Sequence, residues 1–223
     1  MALTDPDLLA QTFVGIDFET LNPAGRRPEP IEVAAVAGKL TEDGSWREDG
    51  RFERLIRPPD GVHFTSFDTA QTGITAAMIQ QAEPAATALA ALEALLAHPP
   101  YVLFAHNAPY EAGLIYDQEP SCPHLARLSM LDTVRLARTA YPDLPRHRLD
   151  DVLSHLGMPP PAGRHRAMPD VAATSSVFAR MVTDGARAGH WSTLADLFRV
   201  AGIEPKAVRD DAAAAAPQQD CLF

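Results

Sequence analysis

The sequence predicts an α/β fold: a mixed sheet of five strands, three antiparallel and then two parallel, flanked by helices. Three observations carry that expectation. The first third holds three apolar runs of strand length, separated by turn-forming segments. From residue 101 onward, short apolar runs alternate with segments of helical periodicity. At 223 residues and 46% hydrophobic content, the chain suffices for one ordinary domain with a short tail to spare.

Residues 13–18 (FVGIDF) are apolar on both alternating faces, which predicts a strand covered on both sides near the centre of the sheet. Residues 31–40 (IEVAAVAGKL) and 52–56 (FERLI), separated by TEDGSWREDG, complete an antiparallel meander. Pro84 suits the first turn of a helix over 84–97, in which Leu89, Leu92, Leu95 and Leu96 recur at helical spacing before a proline pair stops it. Residues 101–105 (YVLFA) and 128–131 then read as strands. Helices are expected over 108–116, 133–140, 149–156 and 169–182, with one more over 191–201. One domain is expected over 1–209, its core about 12–185. Residues 210–223 (DDAAAAAPQQDCLF) read as a flexible tail with a short motif at its end.

Composition narrows the function classes. There are 29 acids against 19 bases, for a net charge of −10, and 17 of those bases are Arg. A protein that grips nucleic acid with a general basic surface is excluded; an enzyme whose site gathers carboxylates around cations is not. No stretch approaches the roughly 18 apolar residues of a membrane helix, and the opening MALTDPDLLA carries acid where a signal peptide carries base. Cys122 and Cys221 make neither a disulfide framework nor a zinc pattern. A cytoplasmic, membrane-free protein is the expectation.

Three motifs can carry chemistry. Side chains alternate along a strand, so Asp17 and Glu19 in DFET point to one face at the end of the first strand. Two carboxylates so placed repel unless a cation sits between them, and hard oxygen ligands suit Mg²⁺ or Mn²⁺. HNAPYE (106–111) follows the fourth strand and sets Glu111 in the first turns of a helix, at the end of a sheet where ligands collect. HRAMPD (165–170) sets Asp170 near a helix start and leaves His165 in the Pro/Gly-rich loop before it. Each motif alone fits a plain structural role: acids at a strand edge, an acid favoured by a helix N-terminus, a surface histidine.

Taken together and in this order, the three motifs resemble the DEDD exonuclease superfamily, His subclass, the group of proofreading epsilon-subunit-like 3′-5′ exonucleases. The resemblance runs from about 13 to about 182, with GITAAMI, LDTVRLAR and HRLDDVLSHLGM as connecting segments. It implies a ribonuclease H-like sheet and a 3′-5′ exonuclease releasing nucleoside monophosphates from DNA, with two divalent cations, Mg²⁺ or Mn²⁺, as cofactors. Proofreading, replication and repair of DNA come with it. The metal carboxylates fall on Asp17, Glu19, Asp170 and Glu111, and the general base on His165. At Glu111 the family usually has Asp, and Tyr110 replaces its Phe. Thr20 and Leu21 fall beside the terminal nucleotide, and Asn107 supports the site. Two cations roughly 3.5–4 Å apart activate water and stabilise both the phosphoryl and the leaving oxygens. An imidazole, titrating near ~6.5, can take the proton of the attacking water at neutral pH.

Arg146, Arg148, Arg164 and Arg166 lie where they can reach backbone phosphates, and His147 reads as a surface residue. An exoribonuclease or oligonucleotide degrader on the same fold is the alternative, and an inactive nucleic-acid-binding module the third reading. The ending QDCLF resembles the bacterial sliding-clamp-binding pentapeptide through Gln219, Leu222 and Phe223, with Asp220 where Leu is usual. The expected partners are therefore single-stranded 3′ ends of DNA, a sliding clamp and a DNA polymerase.

Overall fold

The computed structural model describes residues 3–96 and 100–215. A short helix α1 (Pro6–Ala10) precedes the meander β1 (Thr12–Leu21), β2 (Glu29–Leu40) and β3 (Trp46–Arg57). Two small helices follow, α2 (Ser66–Thr72) and α3 (Ala76–Gln80), then β4 (Glu83–Pro84) and α4 (Ala85–Leu95). The second half alternates β5 (Tyr101–Ala105), α5 (Ala108–Asp117), β6 (Met130–Asp132), α6 (Thr133–Ala140) and α7 (Leu149–His155). It closes with α8 (Ala167–Arg187), α9 (Leu194–Ala201), β7 (Gly202–Ile203) and α10 (Lys206–Ala215).

The sheet runs β4-β3-β2-β1-β5-β6-β7, with β1 to β3 antiparallel and β5 and β6 parallel to β1. The expected five strands are its centre. Two further strands, β4 and β7, extend it at the edges, and two residues are too few for any alternation to announce them. β3 starts six residues before the expected 52 because its first half is solvent-exposed and carries no apolar face. Helices α2 and α3 were not expected from periodicity; their signals are the N-caps Thr65 and Thr75.

The tail needs a correction as well. The alanine run placed in a flexible segment from 210 is helical through Ala215, as alanine's propensity allows once packing supplies a nucleus. Tyr116 donates to Asp210 at 2.5 Å and Arg127 donates to Asp211 at 3.1 Å, so α10 is tied to α5 and the loop after it. The packed domain thus extends beyond 209. Gln219, Leu222 and Phe223 lie outside the described residues.

Each face of the sheet buries its own core. Val14, Ile16 and Phe18 of β1 face α4 and α5, with Leu89, Leu92, Leu114 and Ile115. Phe13 faces the other side, where Phe104 and Phe178 stack at 4.4 Å under α6, α8 and α9. Gly15 sits between Phe13 and Asp17 on that second face. A Cβ there would lie 2.7 Å from the Phe104 ring and 3.0 Å from Val171 Cγ2, so its absence lets α8 approach the central strand. That close approach brings Asp170, next to Val171, over the end of β1.

Candidate active site

The site lies where the end of β1 meets the N-terminal turns of α5 and α8. Asp17 and Glu19 follow Gly15 along one face of β1, and Asp170 comes down from the first turn of α8. One carboxylate oxygen from each of the three falls within 4.8 Å of the others. Glu111, buried in the first turn of α5, charges the same region, because its carboxylate is one cause of the Asp17 shift.

Burial drives the electrostatics of this cluster, and mutual repulsion adds to it. Asp17 is held well above the usual carboxylate range by burial, then by Glu111, Glu19 and Asp170, with Arg164 pulling the other way. Glu19 is pushed up to about 7 by burial, then by Asp170 and Glu32. Glu111 is pushed up to about 8, chiefly by burial. Asp170 is raised by burial against the pull of Arg164 and His165. Two buried oxygens, Glu111 Oε2 and Asp170 Oδ1, have no hydrogen-bond partner. Hard oxygen donors, crowded negative charge and unpartnered buried oxygens together fit divalent cations of the Mg²⁺ or Mn²⁺ type.

The remaining expected residues surround this centre. His165 is exposed on the loop before α8, with a left-handed backbone (φ 66°), and its main-chain N–H donates to Asp170 Oδ2 at 3.3 Å. Asn107 also adopts a left-handed backbone (φ 80°) as α5 begins, its side chain exposed. A non-glycine residue in that region marks backbone held by its surroundings, and both cases lie at this site. Thr20 Oγ1 and the Tyr110 hydroxyl share a hydrogen bond of 2.6 Å, joining the end of β1 to α5. Leu21, expected beside a nucleotide, is instead buried with Ile31, Ile74 and Ile79 in a small core beneath the site. Its alternation with Thr20 points it inward. Arg146 and Arg148 are exposed, whereas Arg164 and Arg166 are engaged with acids.

Three supporting residues escaped the sequence reading. Glu32, fully buried on β2 opposite Glu19, accepts from Arg166 Nε at 3.0 Å and from the Ala167 N–H at 2.8 Å, which anchors the start of α8. A glutamate inside the apolar run IEVAAVA was the available signal, since a buried charge demands a partner. His106 lies against Thr133 Oγ1 and the His147 carbonyl, both at 2.9 Å. Burial lowers its pKa, and a carbonyl can only accept, so the neutral ring donates from Nε2 and accepts from Thr133 at Nδ1. His147 is accordingly no plain surface residue. Its Nε2 meets the Tyr141 carbonyl at 3.1 Å, which fixes the loop between α6 and α7.

Residues 14–178 match the family model described as Exonuclease. The chain belongs to the exonuclease family. The resemblance drawn from the three motifs therefore holds at the level of the family, and a nuclease is the enzyme class. Among curated relatives, this exonuclease-family chain is 30% identical over 182 residues to a DNA polymerase III PolC-type of Oceanobacillus iheyensis, covering 80% of the chain and 12% of that protein. A PolC-type polymerase of Streptococcus pyogenes is 30% identical over 151 residues, covering 65% and 9%. The chain thus spans about a tenth of the length of these relatives.

Solved structures share the fold. The nuclease domain of 3′hExo, described as a DEDDh family member bound to rAMP, superposes with a TM-score of 0.65 at 21% identity, covering 82% of this chain and 96% of that one. E. coli Exonuclease I in complex with a dT13 oligonucleotide gives 0.64 at 20%, covering 80% and 42%. The ribonuclease H-like α/β architecture of such exonucleases is thereby the architecture of this chain.

Proposed function

We propose that this protein is a divalent-metal-dependent exonuclease that removes nucleoside monophosphates from the 3′ end of single-stranded DNA. The observation that carries the reading is the convergence of Asp17, Glu19 and Asp170 beside the unpartnered oxygen of Glu111. The PolC-type names of relatives at 30% identity support DNA over RNA and a DNA polymerase as the partner class.

Asp17, central on β1 and facing all three other acids, would hold the divalent cations together with Glu19, Asp170 and Glu111. When bound, the cations supply a nucleophile from water at neutral pH and neutralise charge on the phosphoryl and leaving oxygens. His165, exposed at the mouth and pinned to Asp170 through its main chain, takes the proton of the attacking water. Asn107 and the Thr20–Tyr110 pair line the approach for the terminal nucleotide. Arg146 and Arg148 offer charge to its backbone phosphates.

The test compares 3′-labelled single-stranded DNA, mispaired duplex DNA and RNA, with Mg²⁺ or Mn²⁺ and with EDTA. DNA should be shortened from the 3′ end with loss of mononucleotides, and EDTA or Asp17→Ala should nearly abolish it. His165→Ala should lower kcat by roughly 10² to 10⁴. Preference for RNA would move the reading to an exoribonuclease, and full activity in purified Asp17→Ala would remove the metal-site assignment.

A further inference from the structure

The carboxylate cluster already has a cation of its own. Arg164, on the loop one residue before His165, forks between two acids: Nε donates to Asp150 Oδ1 at 2.8 Å, and Nη1 donates to Asp170 Oδ2. The two anchors differ in kind. The Asp150 side chain, in the first turn of α7, is 60% exposed, whereas that of Asp170 is 6% exposed and belongs to the converging trio. Asp170 also keeps Oδ1 buried and without a partner on its other side.

A guanidinium cannot shed its charge, so it stays a cation in every state of the site. Without metal it offsets the repulsion among the acids. When a divalent cation engages Asp170, the same guanidinium faces that cation across one carboxylate, and the like charges repel. Movement of the guanidinium off Asp170 relieves that repulsion. Asp150 holds Nε from the solvent side, and the Arg164 side chain is 26% exposed, so it can leave Asp170 and stay tethered at the mouth. A phosphodiester arriving there presents two non-bridging oxygens that share one negative charge, the pair that a planar guanidinium fork matches.

We propose that Arg164 is an exchange residue: counter-ion of Asp170 in the metal-free site, and ligand of a substrate phosphate once a cation has taken Asp170, with Asp150 keeping it in reach. This rests on the metal-dependent nuclease reading and adds a residue to it. Arg164 therefore weakens cation binding to the free enzyme and strengthens nucleotide binding to the loaded one. An arginine with a merely structural role would not give opposite signs in the two bindings.

The experiment measures both on the full chain. Free Mn²⁺ is followed by electron paramagnetic resonance, and deoxythymidine 5′-monophosphate is titrated by calorimetry at saturating Mn²⁺. Arg164→Gln should bind Mn²⁺ roughly tenfold tighter and the mononucleotide roughly tenfold weaker, the loss expected for one charged hydrogen bond. Arg164→Lys keeps the charge without the fork and should fall between; it decides the matter if the Gln variant does not fold. Unchanged or weaker Mn²⁺ binding, or unchanged mononucleotide binding, overturns the exchange alone. A wild-type protein that binds no Mn²⁺ overturns the metal-site reading itself, and the exchange falls with it.

Discussion

At the scale of single residues, burial first and mutual repulsion second oppose ionisation of the clustered acids, and pH and metal can relieve both. Glu19 and Glu111 rise from 4.5 to about 7 and about 8, so the folded chain holds protons that the unfolded chain gives up. Stability from these groups is fully present below about 4.5 and is lost as pH rises through 7 and 8. In EDTA, thermal unfolding of the wild type should lose ground between pH 5 and pH 8 relative to Glu111→Gln, and excess Mg²⁺ should restore it. Parallel pH profiles for the two proteins would show that Glu111 is not the strained acid. On activity, Glu111→Asp should keep or raise the rate, while Glu111→Ala should lower it roughly 10- to 100-fold, as loss of a supporting ligand does. Wild-type rates from Glu111→Ala would mean that this position serves no metal. The acids themselves were legible, since strand alternation puts Asp17 and Glu19 together and helix starts hold Glu111 and Asp170. Glu32 was not, because its partners lie on another element and no local pattern names it; Arg164 was read as a phosphate contact, while its grip on Asp170 was not legible.

At the scale of elements, the site depends on how closely α8 lies on β1. Gly15 sets that distance, with Phe104 and Val171 filling the space a side chain would need. Gly15→Ala should cost about 1–3 kcal/mol through overpacking and should push the N-terminal turns of α8 outward. Activity per folded molecule, measured below the variant's melting temperature, should therefore fall more than stability explains. Full activity in a destabilised Gly15→Ala protein would show that the carboxylates tolerate the shift. Most strands and helices could be read from periodicity, but α1, α2, α3, β4 and β7 could not, and α10 runs into the segment expected to be a flexible tail. Five to seven residues give fewer than two helical turns, and two-residue strands exist only because a neighbour pairs with them.

At the scale of the whole molecule, α10 is the last described element, and the clamp-like residues Gln219, Leu222 and Phe223 lie outside the described residues. Removing 216–223 should leave hydrolysis of short oligonucleotides unchanged, because the converging carboxylates Asp17, Glu19 and Asp170 come from β1 and α8. The same truncation should abolish binding to the cognate sliding clamp in a pull-down or calorimetric titration, since tethering raises local concentration without altering the site. Absence of clamp binding by the intact chain would remove that partner. The fold class and the order of the main elements could be read along the chain, because they follow from local periodicity, and the resemblance carried by three short motifs pointed to the four acids and His165 as the candidate site. Tertiary packing was needed to show that Leu21 turns into a core, that His106 is a neutral brace, that the chain is helical through Ala215, and that Arg164 sits on Asp170. Each of those depends on a contact between elements or on burial, and burial sets the charge and hydrogen bonding of a side chain only once the chain has closed around it.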